Sequence, residues 1–305
     1  LATLISLSTS SFTFHMLIFF VYHILKFVNR GMTNMPAHNI FDCHTHTHFS
    51  HDSECDPYDS LKAAKERRIA GFAITDHCDI EFCGDGDVKT PIKKSAVCAH
   101  EMGDRVLAGV EIGEGIWHKK DAEEVLAGSD FDIVLGSVHA VRYKSYTMPY
   151  SQIDFSVFSQ NEINEYISAY FDDMLEMIKT TDFDVLSHMT CPLRYISGKY
   201  GIAVDLKNFA DKTDIILKEI INRGVALEIN TSCLDTNYNA LMPDIPIIKR
   251  YKELGGYLLT LGSDAHTAER IAHGFDYALC ELSRLEFKNI YYYKNRKPIP
   301  QEIKL

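Results

Sequence analysis

A chain of 305 residues, 46% of them hydrophobic, has enough apolar mass for a full core, which excludes a disordered chain or a small disulfide scaffold. Lys and Arg number 31 against 42 Asp and Glu, a formal charge of −11, so generic binding to nucleic acid or an anionic membrane is opposed by repulsion, and a bound anion would need a locally positive site. Eight scattered cysteines with no CxxC pair speak against a zinc ribbon or a thioredoxin-like motif and for free thiols in a reducing cytoplasm.

Residues 1–25 carry no charged side chain, and the run from Phe12 to Val28 is mostly large and apolar, with Lys26 and Arg30 at its end. About 20 such residues span a bilayer, so residues 1–30 are a candidate anchor that would keep the downstream domain on the cytoplasmic side. The stretch is a poor secretory signal, lacking a basic residue before it and a small-residue cleavage site after it. The preferred reading is a start placed too far upstream, since the chain begins with Leu and Met16, Met32 and Met35 are alternative starts. Residues 1–36 are therefore set apart as an apolar extension, and 37–305 are expected to form one domain.

From residue 39 a unit recurs: a short apolar run, polar residues at its end, then an amphipathic stretch. The runs are Ile40–His46, Gly71–Asp76, Arg105–Glu111, Phe131–Val138, Phe183–Ser187, Val225–Asn230 and Tyr257–Ser263. Their Val, Ile, Leu and Phe content predicts parallel strands buried on both faces. Asp56-Pro57 predicts a capped helix running to Ala70. Further helices are predicted over Glu162–Thr180, Asn208–Arg223 with Gly224 as its stop, Pro243–Gly255 and Thr267–Leu285. Strand–helix alternation without a composition break predicts one parallel α/β domain, and seven units favour a barrel. An open doubly wound sheet is the alternative, but histidines stand where its glycine-rich phosphate loop would be.

In such a barrel, functional residues gather at the C-terminal ends of the strands. The ionisable residues fall there: Asp42-Cys-His-Thr-His46, Asp76-His77, Glu111, His139, His188 and Asp264-Ala-His266. Burying so many ionisable groups without partners is costly, and coordinated cations remove that cost. His44 and His46 are two apart, so both can grip one ion, and Asp264 and His266 repeat the pattern. A lone HxH pair is weak evidence, because histidines are often satisfied by ordinary hydrogen bonds. Matching residues at five other strand ends change that balance. Of His48, His51 and Asp52 in the next loop, one is expected to bind metal and the others to be solvated.

These residues carry a family resemblance. The chain from about 39 to 280 resembles the PHP (polymerase and histidinol phosphatase) superfamily in Asp42-Cys-His-Thr-His-Thr-His-Phe-Ser-His-Asp52, Ile74-Thr-Asp-His77, Gly109-Val-Glu-Ile112, Gly136-Ser-Val-His139, Leu186-Ser-His188 and Leu261-Gly-Ser-Asp-Ala-His266. The length, with no added domain, is most similar to its histidinol-phosphatase branch. The resemblance implies a distorted (β/α)7 TIM-like barrel with three divalent metal ions, zinc, iron or manganese. One ion would take His44, His46, Glu111 and Asp264; a second would share Glu111 and take His139 and His188; a third would take Asp52, His77 and His266. Some relatives have His in place of Asp52.

Three divalent ions outweigh the charges of Asp52, Glu111 and Asp264, so the pocket would be positive inside an acidic protein and would suit a small phosphate monoester. Water activated by the metals would attack phosphorus in line, with Glu111, Asp264 and Arg194 expected to carry the catalysis. Arg194, six residues after His188, is the first candidate for gripping phosphate, and the resemblance implies such an arginine in this loop. Arg142 is its competitor, and Arg270 and His273 come after it. Glu228 and Asn230 end the one strand without an assigned ligand. Glu228 is expected to support ligands by hydrogen bonds, to receive a substrate ammonium group, or to serve the core alone. Cys43 and Cys78 are read as core residues pointing away from the ligands, Tyr291–Tyr293 as a terminal packing segment, His100 and His118 as surface residues, and Trp117 as a candidate pocket wall.

The function expected is hydrolysis of L-histidinol phosphate in histidine biosynthesis. The alternatives are a PHP phosphoesterase acting on nucleotides or short oligonucleotides, and a non-catalytic metal-binding accessory module. The missing basic groove weighs against the first alternative, and the full ligand set weighs against the second.

Overall fold

The computed structural model describes residues 39–79 and 87–304. The expectations for residues 1–36 fall outside them. Among the described residues no helix is long and apolar enough to cross a membrane.

Eight parallel strands build the sheet: β1 Phe41–Thr45, β2 Gly71–Ile74, β3 His77–Asp79, β4 Val106–Gly113, β5 Ile133–Ser137, β6 Val185–Leu186, β7 Ala226–Asn230 and β8 Leu259–Gly262. The order is β1-β2-β4-β5-β6-β7-β8, with β3 added beside the upper half of β4. The first and last strands meet at their C-terminal ends, where His46 N donates to Ala265 O and Asp264 N to His44 O, each at 2.8 Å. The result is a nearly closed seven-stranded barrel, as predicted.

Alternation along the strands divides the apolar residues into two cores. Phe72, Ile74, Val110, Ile112, Leu227, Ile229 and Leu261 pack outward against the helices. Ala73, Leu107, Ile133, Leu135, Val185 and Ala226 fill the barrel interior together with Cys43. The outward direction expected for Cys43 is therefore corrected. The β1–β2 register shifts between Asp42 and Thr45, and this irregularity lets both Cys43 and the following His44 enter the barrel.

The run predicted as a strand over Gly71–Asp76 forms β2 only as far as Ile74, and β3, His77–Asp79, follows it unpredicted. Thr75 N still donates to Thr45 O of β1 at 2.8 Å, Asp76 O accepts from Glu111 N at 3.2 Å, and β3 then pairs His77 with Glu111. Helix α1, Pro57–Glu66, starts on its Asp56 cap as predicted but stops short of Ala70, because Arg68 takes a φ of +58° and Ala70 N turns to Ile40 O. Helices α2 Lys89–Glu101 and α3 Lys119–Ala127 were not predicted; α2 buries Ile92, Ser95, Ala96 and Ala99, a helical stripe made of small residues. Helix α4, Gln160–Thr180, is held at its start by a Ser159–Glu162 capping box, and α5, Ala210–Arg223, ends on left-handed Gly224. Helix α6 covers Ile245–Glu253. The helix predicted over Thr267–Leu285 is broken: a short turn at Ala268–Arg270 precedes α7, Phe275–Arg284, and Gly274 at φ +74° separates them.

The tyrosine run lies in β9, Asn289–Lys294, which pairs antiparallel with β10, Lys297–Glu302. This hairpin docks at the N-terminal ends of the strands. Tyr292 stacks on Phe41 at 4.3 Å, Lys294 Nζ reaches Asp132 just before β5 at 3.0 Å, Arg296 pairs with Asp184 just before β6, and Tyr293 joins the interior core. One end of the barrel is plugged, which leaves the other for chemistry.

Candidate metal centre

At the open end, six histidines and three carboxylates converge. Glu111, fully buried at the inward face of β4, is the hub. Its Oε1 lies 2.8 Å from His188 Nε2 and 3.3 Å from His139 Nε2. Its Oε2 lies 2.9 Å from His77 Nδ1, 3.4 Å from His44 Nε2 and 3.7 Å from His46 Nε2. Asp264 Oδ1 stands 3.3 Å from His46 Nε2 and 3.8 Å from His44 Nε2, and its left-handed backbone, φ +53°, sets that position. Aspartate tolerates this conformation better than most residues. Asp52 Oδ2 is 3.2 Å from His266 Nε2 and 3.5 Å from His77 Nε2. The three groups expected from the sequence are thus each brought together, and His77 also touches the hub.

Four of the six rings are held from behind by their Nδ1. His44 Nδ1 lies 2.6 Å from Glu228 Oε1, and His139 Nδ1 lies 2.9 Å from Asp79 Oδ1. His46 Nδ1 meets Ser50 Oγ at 3.1 Å, and that hydroxyl donates to Asp76 Oδ1 at 2.8 Å. His266 Nδ1 meets Asp264 O at 3.0 Å. Carboxylates and carbonyls only accept, so these Nδ1 atoms carry the protons and the Nε2 lone pairs face inward. His44 Nε2 and His46 Nε2 then oppose each other at 3.0 Å, and His77 Nδ1 faces Glu111 Oε2 at 2.9 Å out of line for a hydrogen bond, so that both atoms are buried and unsatisfied. Lone pairs crowded in this way fit cations between them.

Electrostatics point the same way. Burial opposes charge on His44, but Glu228, Glu111 and Asp264 raise its pKa well above the ordinary value. Burial and then Asp79 and Glu111 act likewise on His77 and His139, with a net rise. Burial would raise Glu111, yet His44, His139 and His77 hold it well below the usual carboxylate range, and His266 and His77 do the same for Asp52. His46 is driven down by burial and by the neighbouring charges of His77 and His266. In the metal-free protein, protons stand where cations fit.

The centre opens into a cavity of about 390 Å³ walled by Tyr150, Ser151, Gln152, Cys191, Arg194 and Tyr195. Arg194 begins one wide turn closed by Tyr200 N to Tyr195 O. Half-buried, it makes no ion pair with a carboxylate among the described residues. Arg142 does not line this cavity: it is exposed, with its guanidinium 4.2 Å over the Trp117 ring, which is also outside the wall. Arg270 is bound to Asp235 at 2.6 Å, and His273 lies 3.5 Å from the same carboxylate. Glu228 is 1% exposed with both oxygens engaged, so an ammonium group in the cavity cannot reach it; it supports the histidines instead. His51 stands at the rim and His48 packs on Phe49.

Two supporting acids escaped the sequence reading. Asp79 follows His77 by two along β3 and so shares its face. Glu114, three after Glu111, receives His139 N at 2.6 Å and Ala140 N at 2.8 Å, and burial, with Asp79 nearby, pushes its carboxyl up to about 8. The same-face spacing was the available signal for Asp79.

The family model of the PHP domain matches residues 42–232. The chain belongs to the PHP domain family. Over 258 residues it is 30% identical to a probable histidinol-phosphatase of Clostridium acetobutylicum, covering 84% of this chain and 97% of that protein. It is 27% identical over 241 residues to a histidinol-phosphatase of Lactococcus lactis, covering 75% and 85%. Its PHP barrel superposes with a TM-score of 0.70 on the crystal structure of histidinol phosphate phosphatase from Lactococcus lactis complexed with zinc, L-histidinol and phosphate, at 24% identity, covering 86% and 99%.

Proposed function

We propose that this protein hydrolyses L-histidinol phosphate to L-histidinol and phosphate. The observation that carries the reading is a half-buried arginine, Arg194, that has no carboxylate partner among the described residues and faces a cluster of inward lone pairs across one small cavity. Similarity to two histidinol-phosphatases along most of their length supports the substrate.

His44, His46, Glu111 and Asp264 would hold one divalent ion, Glu111, His139 and His188 a second, and Asp52, His77 and His266 a third; mixed imidazole and carboxylate donors suit zinc, iron or manganese. Bound there, such ions supply the positive charge that phosphoryl oxygens need and lower the pKa of water. Arg194 takes a phosphoryl oxygen pair through its planar fork and fixes the phosphorus over the cluster. The remaining walls, Tyr150, Tyr195 and Gln152, enclose the organic part of the ester and limit water. The cavity volume suits a small monoester.

The test is phosphate release from histidinol phosphate beside a panel of nucleotides and sugar phosphates at equal concentration. Histidinol phosphate is expected to lead by kcat/KM. A nucleotide preferred tenfold or more would overturn the substrate, and no release from any monoester would favour an accessory role.

A further inference from the structure

The residues behind the histidines tie the cation positions together in pairs. Glu228, on β7, is buried between two of them. Its Oε1 takes His44 Nδ1 at 2.6 Å; its Oε2 takes the backbone N–H of His188 at 2.6 Å and Asn230 Nδ2 at 3.3 Å. The room for this carboxylate is provided by the neighbouring strand: a Cβ at Gly262 would fall 2.0 Å from Glu228 Oε1 and 2.7 Å from His44 Cβ. His44 belongs to the first ligand group and His188 to the second. On the other side, Ser50 Oγ, anchored on Asp76, meets His46 Nδ1 of the first group and receives the backbone N–H of His77 of the third at 3.0 Å.

We propose that Glu228 is a positioning residue that couples the first and second cation positions, so that both are lost together while the third is retained. The inference rests on reading the cluster as a three-ion centre. A carboxylate accepts on both oxygens, and both neighbours here are donors. A glutamine accepts on one oxygen only. If its amide nitrogen faces His44, the ring must move its proton to Nε2 and surrender the lone pair that points at the centre. If it faces His188, two donors oppose each other and the His188 backbone is displaced. Glu111 serves both positions, so either fault reaches both, whereas His77 turns Nδ1 to Glu111 and faces Asp52 of the third group with Nε2, outside the reach of Glu111.

The experiment uses the full chain as wild type, Glu228→Gln, His266→Ala and the double variant, each dialysed against zinc at a set free concentration and analysed for metal content. Wild type is expected to hold three ions. Glu228→Gln should lose about 10- to 100-fold in affinity at two positions, leaving close to one ion, and the double variant should lose that last ion. Ser50→Ala should weaken a different pair, and the ion that remains should survive His266→Ala. Three ions held by Glu228→Gln with wild-type affinity would overturn the coupling, as would an equal loss at all three positions, the mark of a merely structural defect. A wild type that binds no cation would overturn the metal-centre reading itself, and the result is independent of which ester is hydrolysed.

Discussion

Arg194 separates the two jobs of the site, because it faces the cavity without touching any of the proposed ligands. An arginine fork on a phosphoryl group forms two charge-assisted hydrogen bonds, and losing them costs roughly 2–4 kcal/mol in kcat/KM, about 30- to 1000-fold. Arg194→Ala is expected to show that loss with histidinol phosphate while its metal content stays at the wild-type level. An unchanged kcat/KM would remove Arg194 from the phosphate site. The fall-back candidates from the sequence are poorly placed to take over, since Arg142 lies on Trp117 and Arg270 is engaged by Asp235. What made the proposed ligands stand out in the sequence was their position: a histidine or carboxylate at the end of a buried strand has no cheap structural explanation. Arg142 and Arg194 come three and six residues after their histidines, and such spacing says nothing about which way a loop turns.

At the scale of elements, the strands and the long helices were readable because each carries a strong period or cap: the Asp56-Pro57 start of α1, the heptad-like stripe of α4, Gly224 behind α5. The misses share a cause. Strand β3 is three residues long, α2 buries Ile92 beside only small residues, Ser95, Ala96 and Ala99, and the break before α7 depends on left-handed Ala272 and Gly274, so none carries a strong apolar period to read. Missing β3 hid Asp79, and with it the acid that orients His139. The terminal hairpin was legible only as a packing segment; its role as the plug of the barrel comes from pairing that is remote in sequence. That role is testable. Tyr293 is 2% exposed inside the barrel's lower core, and its hydroxyl reaches Asp184 O at 3.3 Å. Tyr293→Ala should cost about 3–5 kcal/mol, as for other large buried aromatic truncations, read by denaturant unfolding of the metal-free protein. At a temperature where the variant stays folded, its kcat should match wild type, because the cavity lies at the opposite end. A loss of activity without a loss of stability would show that the plug acts on the site.

At the scale of the molecule, an acidic chain surrounds a centre built for positive charge, and the two are balanced by whatever occupies the cluster. Cations bound at the proposed centre would stabilise the folded state by mass action: about 2.7 kcal/mol for one site at a hundredfold excess over Kd. A shift of roughly 2–4 °C per kcal/mol then predicts that chelation lowers Tm by about 5–10 °C for each site so occupied. The effect should depend on pH with a definite sign. His44, His77 and His139 have folded-state pKa values raised above their unfolded values in the metal-free protein. Their protonated forms therefore stabilise the metal-free fold fully below the unfolded pKa, near 6.5, and that contribution is lost as pH rises through the folded values. Metal competes with those same protons, so its affinity rises over the same interval. Both trends widen the gap between loaded and chelated protein as pH increases. Thermal unfolding with and without chelator, at pH 5.5, 7 and 8.5, should show the smallest difference in Tm at pH 5.5 and the largest at pH 8.5. A gap that narrows with rising pH, or a Tm that chelation leaves unchanged after the metal is shown to be gone, would mean that protons and cations do not share this cluster.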